Sequence, residues 1–203
     1  MQPSVTGYSN HLALPYHCDS GPQDQCIATL IEKIKCGEVV HPADAPSLVE
    51  YMLDSSHDSL IGRLKDYLEP LNRAGKNSEL LATYWVVYVM WQCYRTPECF
   101  KRLPHWLRPT ECQIGMPHPM CIDFIPWPRL RDGIIRTYSG NWSQACSMLA
   151  ALSEHMEFTS NTLFDDELSS SHSLQSAVGD IGKWKLREGF FLRYRQFQGL
   201  CDS

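Results

Sequence analysis

Apolar residues return every three or four positions along much of this chain, and that spacing predicts helices. Residues 23–36 bring Ile27, Leu30, Ile31 and Ile34 to one face, with Gly37 placed to stop the helix. Two prolines break residues 41–47, and Ser47 then stands where it would cap a second helix over 48–54, with Leu48, Tyr51 and Met52 inward. A third helix over 60–71 has Leu60, Ile61, Leu64, Tyr67, Leu68 and Leu71 as its apolar face. The strongest pattern runs over residues 79–95, where no charge falls between Glu79 and Arg95 and the run holds Tyr84, Trp85, Tyr88, Trp91 and Tyr94. The 15 uncharged residues fall short of the roughly 20 that a membrane span needs. Gln92 also interrupts them. The pattern therefore predicts a buried central helix, with the aromatics at 84, 88 and 91 on one face.

Beyond this helix the pattern changes. Residues 97–105 mix acids and bases and read as a loop or turn. Residues 109–132 contain five prolines, at 109, 117, 119, 126 and 128. Proline fixes φ, lacks a donor and restricts the residue before it, so this stretch is neither a helix interior nor a central strand. Between the prolines lie Met120, Cys121, Ile122, Phe124, Ile125 and Trp127, too apolar for a solvated linker. The expectation is an ordered extended coil over 109–128 packed on the central helix. Helices follow over 130–138 and 143–155, the second with Ala145, Met148, Leu149 and Leu152 inward, and Gly140–Asn141 separates them. Residues 157–179 are Ser-rich, with an acidic cluster at 165–167, and read as a polar loop. A final helix over 183–197 would turn Trp184, Leu186, Phe190, Phe191, Tyr194 and Phe197 inward. No strand pattern, repeat or heptad is evident. The sum is an all-α fold: a flexible arm over 1–22 and one helical domain over 23–203.

Charge and cysteine usage narrow the function. The net charge of −5 offers no basic excess to neutralise phosphates, so specific DNA binding is not expected. The nine cysteines are an odd number without a C-x-x-C pair, and residues 1–16 lack the basic and apolar regions of a secretory signal. Reduced thiols in an intracellular, cytoplasmic setting are expected, most of them packing as small hydrophobes. His11 and His17 read as surface residues. No clustered metal ligands, P-loop, dinucleotide fingerprint, nucleophile elbow or H-E-x-x-H is present, which argues against a metal site and against a cofactor.

The candidate chemistry lies in the proline stretch. His118 and Asp123 are five residues apart, and Arg131 and Asp132 open the next helix. Two readings stand side by side. In one, Arg131 and Asp123 form a structural ion pair that anchors the irregular segment. In the other, His118, Asp123 and Arg131 are catalytic residues on one wall of a pocket. Tyr84, Trp85, Tyr88, Trp91 and Trp127 are then its ligand-binding aromatics, and His118 gives or takes a proton near neutral pH.

The order of these residues resembles a known family. Leu107, Arg108, Pro109 and Thr110 are followed by Gln113, His118–Pro119, Ile122–Asp123, Pro126–Trp127–Pro128 and Leu130–Arg131–Asp132. This is similar to the fungal domain of unknown function that usually follows a bZIP DNA-binding region, read here as a stand-alone copy without basic region or zipper. The likeness is weaker over 72–94 and 184–194. Met120 departs from the aromatic or His that often follows His-Pro in the family, and Gly182–Lys183–Trp184 is a reduced form of its late Trp-Gly-x-Pro-Trp stretch. A stand-alone copy suggests a protein that binds a hydrophobic small metabolite. It would be a cofactor-free cyclase or isomerase of secondary metabolism that holds a reactive conformer. The resemblance itself implies the alternative, a transcription-regulatory or ligand-sensing domain, nuclear rather than cytoplasmic. Either form is compatible with a homo- or hetero-oligomer.

Overall fold

The computed structural model describes residues 78–159 and 179–201, together with Thr29, Ile31, Glu32, Lys33 and Cys36. The domain is all-α apart from one two-stranded ribbon. Its centre is helix α1 (Ser78–Tyr94). Every side chain from Trp85 to Gln92 is buried, more than two full turns, so this stretch of the helix has no solvent face. Arg95 ends it in the left-handed region (φ 48°), and its amide still reaches the Trp91 carbonyl (2.8 Å). Its guanidinium folds back over the Trp91 ring, 4.4 Å from the centroid.

The next segment corrects the loop expected over 97–105. It forms helix α2 (Pro97–Arg102), followed by a 3-10 turn at His105–Leu107. The start signal is local and physical. The Thr96 hydroxyl accepts from the Cys99 amide, Pro97 occupies the first turn without a donor to lose, and Glu98 and Lys101/Arg102 complement the two ends of the dipole. Mixed charge there marks a short capped helix, which a reading by hydrophobic period misses.

The proline segment is ordered and packs on α1 as expected. Within the expected coil the chain makes two short helical pieces, α3 (Glu111–Gly115) and a 3-10 turn at Met120–Phe124. Thr110 and Gln113 close a reciprocal capping box at the start of α3. The seam with α1 is made by the Trp85 indole, which donates to the Phe124 carbonyl (3.1 Å), and by edge-on packing of Tyr88 against Phe124. Helix α4 (Pro128–Tyr138) starts with Pro128 in its first turn, two residues before the expected start. Gly140, at φ 84°, turns the chain into α5 (Trp142–His155).

The C-terminal part corrects the single helix expected over 183–197 and the absence of strands. Strand β1 (Met156–Phe158) pairs antiparallel with β2 (Trp184–Leu186), in the register Met156↔Leu186, Glu157↔Lys185, Phe158↔Trp184. Helix α6 (Glu188–Arg193) and a 3-10 turn at Arg195–Phe197 follow. Trp184-Lys185-Leu186 does alternate, but over three residues only, and its partner is remote in sequence. The inward Phe190, Tyr194 and Phe197 meanwhile keep helical spacing. Phe190 and Phe197 are fully buried, so the inward face was assigned correctly while the backbone form was not.

Of the expected helix over 23–36, Thr29 and residues 31–33 are helical, and Ile31 joins the core. The arm over 1–22, the helices over 48–54 and 60–71, and most of the polar loop lie outside the described residues. Among the described residues, no helix is long and apolar enough to cross a membrane.

Candidate functional site

Asp123 is the hub of a polar network enclosed in the core. The 3-10 turn holds its carboxylate toward α1 and α3. Oδ2 accepts from the Tyr88 hydroxyl (2.6 Å), while Oδ1 accepts from the Gln113 amide and faces His118 Nε2 (2.9 Å). Gln92, one turn beyond Tyr88, donates to the same hydroxyl (2.9 Å). His118, Asp123, Gln113 and Tyr88 are all completely shielded from solvent.

The geometry fixes one ring hydrogen and favours the charged form of the pair. His118 Nδ1 lies 2.7 Å from the Met116 carbonyl, which can only accept, so Nδ1 carries a hydrogen. Nε2 faces a carboxylate oxygen that already takes a hydrogen bond from Gln113. An imidazolium meets both acceptors at once. Burial alone would lower the His118 pKa, but the hydrogen bond and charge of Asp123 and the Met116 carbonyl outweigh it, and the net direction is upward. The nearby Arg131 cation opposes that rise.

Arg131 holds the irregular segment through backbone carbonyls. Its guanidinium donates to the backbone carbonyls of Asp123 (3.5 Å), Ile125 (3.2 Å) and Arg108 (3.0 Å). These carbonyls belong to the irregular stretch, which has few internal partners. The anchoring role stands, but it is made through carbonyls; the Asp123 carboxylate pairs with His118. Burial pulls the Arg131 pKa below its ordinary value, and the charge of Asp123 resists this. Its Nε and the Trp127 indole N–H, one turn earlier, have no hydrogen-bond partner among the described residues. Thr110 completes the frame by donating to Asp132 at the start of α4.

The structure thus brings His118, Asp123 and Tyr88 into direct contact, with Arg131 on the adjoining backbone. Trp85 and Trp91 flank them, Trp91 packing on Tyr88 at 5.5 Å between centroids. Trp127 is buried at the head of α4. Tyr84 is set apart, edge-on to Trp106, whose indole donates to the Gly179 carbonyl.

None of these eight residues lines the open cleft of the C-terminal part. That cleft, about 660 Å³, is bounded by Ile181, Gly182, Trp184, Lys185, Leu186, Phe191, Gln198, Gly199 and Cys201. Sequence reasoning turned Trp184, Leu186 and Phe191 inward and found no site there. The missing signal was the strand pairing, which splits the segment and leaves a hollow between β2, α6 and the final turn. Among the described residues, no group of three His, Cys, Asp or Glu is placed to hold a metal.

A helical domain whose proline-rich segment is tied to a central aromatic helix by a buried His–Asp–Arg frame is the class of protein that fold and site define. Residues 86–203, more than half of the chain, match the family described as domain of unknown function DUF3425, and the chain belongs to that family. No curated protein and no solved structure matches the chain. Thr110, Gln113, His118, Asp123, Arg131 and Asp132, which join the proline-rich segment to its neighbours, all lie within the matched span.

Proposed function

We propose that this chain binds a hydrophobic small molecule and that the C-terminal cleft receives it. The observation that carries the reading is the cleft itself. It is of the size that drug-like ligands fill, and its lining joins the apolar Trp184, Leu186, Ile181 and Phe191 to a comparable polar surface that includes Lys185 and Gln198. In this reading the His118–Asp123–Arg131 frame is a scaffold. Its polar atoms are enclosed and, Arg131 Nε apart, spent on one another and on backbone carbonyls, whereas a general acid or base must reach its substrate. Of the described lining side chains only Lys185 and Cys201 ionise, which favours binding over proton-transfer chemistry and so a sensing role over a cyclase.

The test is thermal unfolding of the chain with a panel of aromatic and terpenoid metabolites. A ligand at ~100 times its Kd adds about 2.7 kcal/mol, or roughly 5–10 °C in Tm for a chain of this size. A true ligand should lose its effect on Gln198→Trp, which fills the cleft from an exposed position. No shift with any compound, or a shift that Gln198→Trp leaves intact, would refute the cleft. Mass spectrometry of the same mixtures separates the two roles: a compound recovered unchanged supports a sensor, an isomer of it supports a cyclase.

A further inference from the structure

Resting on the cleft reading above, we infer that the ligand is an anion, an apolar ring system bearing an acidic group that pairs with Lys185. Among the described residues, Lys185 is the one charged side chain in the lining, and none of them there is a carboxylate. Its position on β2 makes Glu157 its direct neighbour across the ribbon, the residue expected to neutralise it. Glu157 instead turns to Arg187, whose Nε lies 3.3 Å from Oε1, and Arg187 also donates to the Glu154 carbonyl. Arg193 is drawn over the Tyr194 ring. Asp180, the other nearby acid, folds back to accept from the Gly182 amide at 3.0 Å. Lys185 is thereby left without an ion-pair partner among the described residues, in the lining of a cleft that mixes polar and apolar surface.

The wider field has the same sign. Residues 181–201 carry Lys183, Lys185, Arg187, Arg193 and Arg195 against Glu188 alone, in a chain whose net charge is −5. A local positive field on an acidic protein concentrates anions at that face. The apolar part of the lining selects among them: a small inorganic anion gains nothing from Trp184 and Phe191, while an aromatic or alicyclic acid gains from both. An acidic group that reaches the Lys185 ammonium makes a charge-assisted hydrogen bond, stronger than a neutral one.

Two dyes with one skeleton test this directly. 8-Anilinonaphthalene-1-sulfonate carries an acidic group, and N-phenyl-1-naphthylamine is the same ring system without it. Fluorescence titration of the folded chain, with near-ultraviolet circular dichroism to show that packing is intact, should give about tenfold tighter binding of the sulfonate, as one charge-assisted contact implies. Lys185→Gln should remove that advantage and leave the neutral dye unchanged. Salt at about 1 M, where screening acts over ~3 Å, should weaken only the sulfonate. Equal affinities, or a sulfonate preference that survives Lys185→Gln, would overturn the anion inference and leave the cleft in place. Binding of neither dye, or binding indifferent to Gln198→Trp, would overturn the cleft and the inference with it.

Discussion

Asp123→Asn is the sharpest probe of the buried frame, because it changes charge while keeping shape. In the wild type the carboxylate accepts from Tyr88, Gln113 and an imidazolium, all fully buried. The amide has one acceptor oxygen and presents an NH2 where a second acceptor stood. One of the three donors loses its partner, which costs about 1–3 kcal/mol for a buried group. The imidazolium loses its counter-charge, and breaking a buried pair from one side costs about 3–5 kcal/mol. His118 can shed that cost by releasing its proton, which leaves one nitrogen without a donor toward the amide, so the terms do not add fully. We expect a loss of about 3–5 kcal/mol in urea-unfolding free energy at pH 6, with an unchanged m value.

The pH profile gives a second reading of the same pair. The folded pKa of His118 is raised above the ordinary value of 6.5. Stability from this group is therefore complete below the unfolded pKa and is lost as pH rises through the folded one. Wild-type stability should fall from pH 6 toward pH 8. Asp123→Asn should flatten that slope, since the carboxylate causes the rise. A loss under about 1 kcal/mol, or a slope that the substitution leaves alone, would refute the imidazolium–carboxylate assignment, since one removed buried partner alone should cost more.

Four further outcomes are expected. Trp85→Ala should cost about 3–5 kcal/mol, since it empties a large buried site and frees the Phe124 carbonyl; a loss below about 1 kcal/mol would make α1 peripheral. His118→Ala should cost about 3 kcal/mol; an unchanged Tm with ligand binding abolished would instead move His118 from the scaffold to the ligand site. Thr110→Ala removes the capping box of α3 and the bond to Asp132 together, and should cost about 1–2 kcal/mol by urea unfolding, where no loss would mean the cap is idle. At physiological salt the chain should give no sequence-selective shift of duplex DNA in a gel, because its net charge of −5 releases few counterions.

What could be read from the sequence was whatever a single segment states by itself. The uncharged run around Trp85 and Tyr88 announces a helix buried on all sides, and it is one. Five prolines among apolar residues announce an ordered, packed connector, and His118 and Asp123 do meet within it. Tyr88 was placed near them only as an aromatic; its role as a hydrogen-bond donor depends on how α1 is rotated, and helical spacing alone does not fix that. Arg131 shows the same limit. A buried cation can satisfy itself on carbonyls as well as on a carboxylate, and composition does not choose. The ribbon of β1 and β2 and the cleft beside it were illegible, because three-residue strands pair across a long intervening segment and leave no periodic trace.

Helix α1 carries one more consequence. The family match opens at residue 86, in the interior of Ser78–Tyr94. The matched span therefore starts inside a folded helix and does not mark the edge of the folding unit. An excised fragment cut at the match would begin in mid-helix, with four amides newly bare inside a hydrophobic core and no Trp85 to hold the carbonyl of Phe124. Ile31, buried in the same core, places further necessary material upstream. For expression work the matched span is thus a label for relatedness, and the smallest autonomous piece has to be sought well before it.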